Sequence, residues 1–145
     1  MTETKRMPSE AEISSGYEQF VRGYFVCALW SSMDWSTESG GEPLDASYTP
    51  DDFDSAALVQ AREECMTFLV ENYDDLQEFC DKYKPKSGFT PWECAGHDFW
   101  LTRNRHGAGY WDRGLEGTGD RLTKAAHAVG EESVYVGADE KLHFE

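Results

Sequence analysis

From Ser9 onward apolar side chains return every three or four residues, at Ile13, Tyr17, Phe20, Tyr24 and Ala28, with Val21 and Phe25 widening the stripe. This spacing predicts a helix with one buried face, and Ser9 with Glu12 supplies a capping box at its start. Residues 1–8 lack the period and are expected to form a flexible N-terminus. Gly16 and Gly23 each weaken a helix by about 1 kcal/mol relative to Ala, unless a neighbour needs the close approach they permit.

Periodicity then lapses from Asp34 to Tyr48, where Gly40, Gly41 and Pro43 predict a long surface loop. Thr49, Pro50 and Asp52 have the order of N-cap, first and third helical residues. Phe53, Ala57, Ala61, Cys65 and Phe68 or Leu69 form the stripe that follows, with Asp51, Asp52 and Asp54 in the first turn. There the positive end of the helix favours carboxylates. Asn72 is expected to end this helix and cap a shorter one, with Leu76, Phe79 and Tyr83 facing inward, before Pro85 and Gly88 break the pattern.

Thr90, Pro91 and Glu93 repeat the capping order. A helix from Pro91 to about Asn104 places Trp92, Ala95, Phe99 and Arg103 on one side, with a short strand over 98–102 as the alternative. Gly114, Gly117 and Gly119 are expected to make the next link tight or irregular. Leu122, Ala125, Ala126 and Val129 predict a helix stopped by Gly130. Val134 and Val136, then Leu142 and Phe144, alternate with polar positions around Gly137, Ala138 and Asp139, which predicts a C-terminal hairpin packed on helices. The fold class expected is α+β, a single compact domain over 9–145, mostly helical, with a small antiparallel C-terminal sheet or hairpin.

Charge changes this picture. The formal net charge is -15, and the 34–81 segment holds 14 acidic residues against Arg62 alone. Such a surface repels nucleic acid and attracts a protein with a cationic surface, although solubility alone would also account for it. Candidate contact residues are Asp45, Asp51, Asp52, Asp54, Glu63, Glu64 and Asp74. Spaced like phosphates, they would mimic DNA in the groove of a nucleic-acid-binding protein, with an attraction that salt weakens. The four cysteines form no CxxC pair, and no apolar run has the length of a signal peptide or a membrane span, so a reduced cytosolic setting without membrane contact is expected.

The 25 residues from Thr90 to Gly114 are neutral and hold three of the five tryptophans, two of the four histidines and three arginines. Glu93, His97, Asp98, His106 and Asp112 carry the donor types of a zinc, manganese or iron site, but their order matches neither HExxH nor a zinc finger. His97 with Asp98, or His106 with Asp112, would also suit proton transfer. Cys94 would serve as a nucleophile only if exposed and acidified. A structural network is the competing reading, in which the histidines donate to Asp98 or Asp112 and the arginines pair internally. Trp100, Arg103, Arg105, His106 and Trp111 are the members expected of a second contact site. Neither GxGxxG nor GxxxxGK(S/T) occurs, and no cofactor is expected.

The run AGHDFWLTRNRHGAGYWDRG, with GDRLTKAAHAVGE and YVG after it and ALWSS, GEPLD, SYTPDDF and ECMTFLVEN before it, resembles a family of small uncharacterised proteins of tailed bacteriophages and prophages. The resemblance covers most of residues 17–144 and brings no activity or catalytic residue with it. It implies a phage product in the cytoplasm of the infected host. Together with the charge, it makes an accessory protein that binds a host protein the leading expectation, with inhibition of a restriction or CRISPR complex by charge mimicry as the specific form. The alternatives are a small metal protein or hydrolase centred on His97, Asp98, His106 and Asp112, and a structural protein of the virion.

Overall fold

The computed structural model describes residues 8–34, 41–83, 88–105 and 109–145. Helix α1 (Glu10–Ser31) starts at the capping box between Ser9 and Glu12 and runs through the middle of the domain. Helix α4 (Pro91–Arg103) starts at an equivalent box between Thr90 and Glu93 and packs along α1. No strand forms at 98–102.

Two glycines set the α1–α4 approach. A Cβ on Gly23 would lie 2.7 Å from the carbonyl carbon of Glu93, and one on Gly96 would lie 2.7 Å from the carbonyl carbon of Phe20. Each helix therefore seats its backbone in a notch that only glycine leaves open. The propensity lost at Gly23 has the use anticipated for it. Gly16 plays a milder part, since the atoms above it belong to the Trp92 ring.

Around this contact the core is aromatic. Phe99 stacks on Phe68 at a centroid separation of 4.1 Å and on Phe20 at 5.8 Å, while Tyr24 meets Trp100 edge to face at 5.3 Å. The polar tips of these large rings find partners: Trp100 Nε1 donates to Ser31 Oγ at 2.8 Å and Tyr110 OH donates to the Ala95 carbonyl at 2.7 Å.

Helix α2 (Ser55–Glu71) buries Ala57, Ala61, Cys65, Phe68 and Leu69, the stripe read from the sequence. Its start differs from that reading. Thr49, Pro50 and Asp52 cap a separate 3-10 turn over Pro50–Asp52, Phe53 is extended, and Asp54 is the N-cap of α2, accepting from Ala56 N at 3.0 Å. Phe53 leaves the helical path because it packs between Phe25 and Phe144, at 4.9 and 5.1 Å. The 34–48 segment is also more ordered than a plain loop: β1 (Met33–Asp34) pairs with β2 (Glu42–Pro43), and Leu44 is buried in the 3-10 turn that follows. Residues 35–40 lie outside the described residues.

Helix α3 (Tyr73–Lys82) turns its Leu76 and Phe79 inward. Asn72 ends α2 by donating Nδ2 to the Phe68 carbonyl and makes no side-chain cap on α3. Helix α5 (Gly117–Val129) begins earlier than expected, absorbing Gly117 and Gly119, and ends at Gly130 with φ +94°. The hairpin β3 (Val134–Val136) and β4 (Leu142–Phe144) pairs Val134 with Phe144 and Val136 with Leu142. It docks on the residues before α2, where Asp54 N donates to the Leu142 carbonyl at 2.9 Å. The described elements make a single α+β domain, mostly helical, and no described helix is long and apolar enough to cross a membrane.

Candidate functional site

The acidic side of α2 faces α5 across an open groove of about 600 Å³. Glu63, Glu64 and Glu71 line it from α2, Phe68 gives it an apolar floor, and Ala128 and Val129 of α5 complete the far wall. Among the described residues no Lys, Arg or His lines it. Glu64 and Glu71 are seven residues, about two helical turns, apart on this side, and Glu63 is the neighbour of Glu64.

Beneath the groove lies a buried cation. Arg103 ends α4 and is 2% exposed. Its Nε donates to the Gly130 carbonyl at 2.8 Å and its Nη1 donates to Tyr24 OH at 2.8 Å. The same Nη1 stands 3.2 Å from Glu64 and 3.7 Å from Glu132. Gln60 donates to Glu132 Oε2 at 2.6 Å and lies 3.5 Å from Glu64 Oε1, tying the two acids together. Burial pushes the Glu132 carboxyl up to about 7, with Arg103 opposing the rise, Glu64 adding to it and the Gln60 hydrogen bond opposing it. Glu132 Oε1 is buried and has no hydrogen-bond partner. Glu64 therefore lines the groove with Oε2 held by Arg103 and Oε1 beside Gln60.

The residues expected to hold a metal or move a proton are spread over separate interactions. Asp98, 1% exposed at its side chain, receives Arg113 in a two-pronged pair, Nε to Oδ2 and Nη2 to Oδ1, each at 2.8 Å. Arg113 also lies over the Tyr83 ring, and its pKa is raised, chiefly by the hydrogen bonds to Asp98. His97 Nδ1 is 3.8 Å from Asp98 Oδ1, beyond hydrogen-bond range, and its ring instead neighbours Trp30 and Phe89. Glu93 closes the α4 capping box by accepting from Thr90 N at 2.8 Å. Asp112 is exposed, and His106 lies outside the described residues.

Glu93, His97, Asp98 and Asp112 do not converge on a common point. The expected His97–Asp98 hydrogen bond is replaced by Arg113, whose planar fork matches a carboxylate better than one ring nitrogen does. Burial, the largest cause, raises the Cys94 thiol, with Asp98 adding to the rise; Cys27, Cys65 and Cys80 are raised by burial too. None has the acidified thiol a nucleophile needs.

The proposed contact residues divide. Asp45, Asp51, Glu63 and Asp74 are exposed. Asp52 caps the 3-10 turn by accepting from Thr49 N at 2.7 Å, and Asp54 caps α2. Asp51 lines a second cleft, of about 680 Å³ between α1 and α2, where Arg22 and Arg62 pair with Glu93 and Glu18. Trp100 and Arg103 are buried and leave the second contact set, because a core ring and an arginine held by four partners offer no surface. Arg105 and Trp111 are exposed, with Arg105 3.9 Å from Glu131.

Comparisons with protein-family models, curated proteins and solved structures return no match. The site rests on its own geometry. Sequence reasoning missed Glu71 as a groove residue and Gln60 and Glu132 as members of the network. One signal pointed to them: Arg103 falls on the apolar side of α4, and a buried guanidinium requires carboxylate and carbonyl partners nearby.

Proposed function

We propose that this chain is an accessory protein of a tailed bacteriophage that binds a basic segment of a host protein in the α2–α5 groove. The observation that carries the reading is the groove itself, which gathers Glu63, Glu64 and Glu71 around an apolar floor with no basic residue in its described lining. Cationic side chains gain from Glu63 and Glu71 on one rigid helix, with Glu64 between them shared with Arg103 below, and their aliphatic stems gain from Phe68 and Val129.

The partner class that fits is a protein that normally grips nucleic acid, because its cationic surface is complementary to the 34–81 segment. Blocking such a surface in the host cytoplasm would interfere with a restriction or CRISPR complex. The phage setting comes from the sequence resemblance, and the electrostatics supply the mode of contact. No reaction is part of this reading, since Asp98 is committed to Arg113 and the cysteine thiols are raised.

The test is affinity capture from nuclease-treated host lysate with the wild-type chain and with a Glu63→Lys/Glu71→Lys variant, at low and moderate salt. Glu64 is left intact because Arg103 needs it. The reading expects one nucleic-acid-binding complex retained by the wild type, released by salt and absent from the variant, with both chains equally folded by circular dichroism. Retention by the variant at the wild-type level refutes the groove as the contact.

A further inference from the structure

We propose that Asp54, Asp139 and His143 form a site for a divalent first-row transition metal, zinc being the ion that best suits one imidazole and two carboxylates. The site is separate from the groove and from the histidines of the central stretch.

The three ligands come from two chain segments. Asp54 is the N-cap of α2, Asp139 lies in the β3–β4 turn and His143 in β4. The segments are fixed to each other by the backbone, through the Asp54 N to Leu142 O hydrogen bond at 2.9 Å and the Phe53–Leu142 bridge. One potential ligand atom from each residue lies within 4.8 Å of the other two.

His143 Nε2 is 3.0 Å from Asp139 Oδ1 and 3.1 Å from Oδ2. Two ligand atoms each about 2.1 Å from one tetrahedral zinc ion are about 3.4 Å apart. This pair lies close to that spacing, and Asp54 closes the triangle by moving inward from within 4.8 Å.

The turn is built around the convergence. A Cβ on Gly137 would lie 2.7 Å from Asp139 Oδ1 and 2.6 Å from His143 Cδ2, so a side chain there would push both groups from their present positions over the turn. Gly137 N donates to the Lys141 carbonyl at 2.8 Å, and Glu140 takes φ +63° to close the loop. The His143 ring is held in plane by Tyr135, stacked at 5.4 Å. Asp139 is exposed and the other two are half-buried, so water can fill the remaining coordination positions.

A bound ion would clip the hairpin to the first turn of α2, the helix that carries the acidic groove. The experiment is calorimetric titration of zinc chloride into the chelator-treated, tag-free full chain at neutral pH, with magnesium chloride in parallel. The proposal expects one zinc per chain and a rise in thermal midpoint with zinc, with magnesium producing neither. Asp54→Asn retains the helix cap, since Asn caps as well as Asp, and His143→Gln retains a polar side chain of similar reach. Each is expected to weaken zinc at least tenfold while leaving the metal-free midpoint within a few degrees. Absence of zinc binding overturns the proposal, because it means His143 merely pairs with Asp139. Unchanged affinity in both variants overturns it equally, since the zinc then sits elsewhere.

Discussion

Replacing Gly96 by Ala adds one methyl group where α1 and α4 are closest. On an exposed helix surface the exchange would stabilise by about 1 kcal/mol through helix propensity. Here the added Cβ would stand 2.7 Å from the Phe20 carbonyl carbon, whereas carbon atoms in contact prefer about 3.5–4.0 Å. The struck atom is backbone within a helix and cannot rotate aside, so α4 must retreat by about 1 Å. A gap of that size forfeits about a quarter to a half of the dispersion energy between the atoms it separates, and these include the Phe20, Tyr24 and Phe99 rings. Overpacking of this kind costs about 1–3 kcal/mol and occasionally more, and the rigidity of the obstacle places Gly96→Ala above that range, at about 4 kcal/mol before and about 3 kcal/mol after the propensity gain. Urea unfolding followed by circular dichroism measures it: with a slope of about 2 kcal/mol/M the midpoint falls by about 1.5 M. Gly23→Ala strikes the Glu93 carbonyl in the same interface and should cost about as much. The double variant should lose less than the sum, because the first separation makes room for the second methyl. Gly88→Ala, with nothing within 4 Å, is the control and should stay within about 0.5 kcal/mol. A midpoint for Gly96→Ala at or above wild type would refute the close-contact account.

Glu132 gives a pH test. Its folded carboxyl titrates at about 7 against an ordinary 4.5, so the stability it contributes is full below pH 4.5 and is lost as pH rises through 7. Glu132→Gln should therefore gain on wild type between these values, by an amount on the order of 3 kcal/mol at pH 8; a stability difference that is flat with pH would contradict the assignment. Asp98→Asn strips Arg113 of its charge partner and should cost about 2–3 kcal/mol, of which Asp98→Asn/Arg113→Met should recover part, in a double-mutant cycle read by urea unfolding. The thiols of Cys27, Cys65 and Cys80 are buried and raised. A chromogenic disulfide reagent should reach at most Cys94 in the native chain and all four after denaturation, and rapid native reaction of two or more would contradict the packing.

Local chemistry wrote much of the fold into the sequence. The capping boxes at Ser9 and Thr90, the stripe from Ala57 to Leu69, the Gly130 stop and the β3–β4 hairpin each depend on residues within one or two turns of one another, and side-chain periodicity reports such neighbours directly. Long-range packing decided the rest. Phe53 was legible as apolar, but its departure from the helix required Phe25 and Phe144, distant in the chain, to offer a better site. The His97–Asp98 pair looked plausible because adjacency in sequence resembles proximity, yet on a helix successive side chains point about 100° apart, and Arg113 reached Asp98 from a separate turn. The acidic excess was visible as composition, whereas its division between a groove above Arg103 and a cleft containing Arg22 and Arg62 was set by how α2 lies against α5 and α1. Periodicity determines which face of an element is buried; which distant side chains meet across that face depends on the tertiary arrangement, because no local pattern encodes the partner.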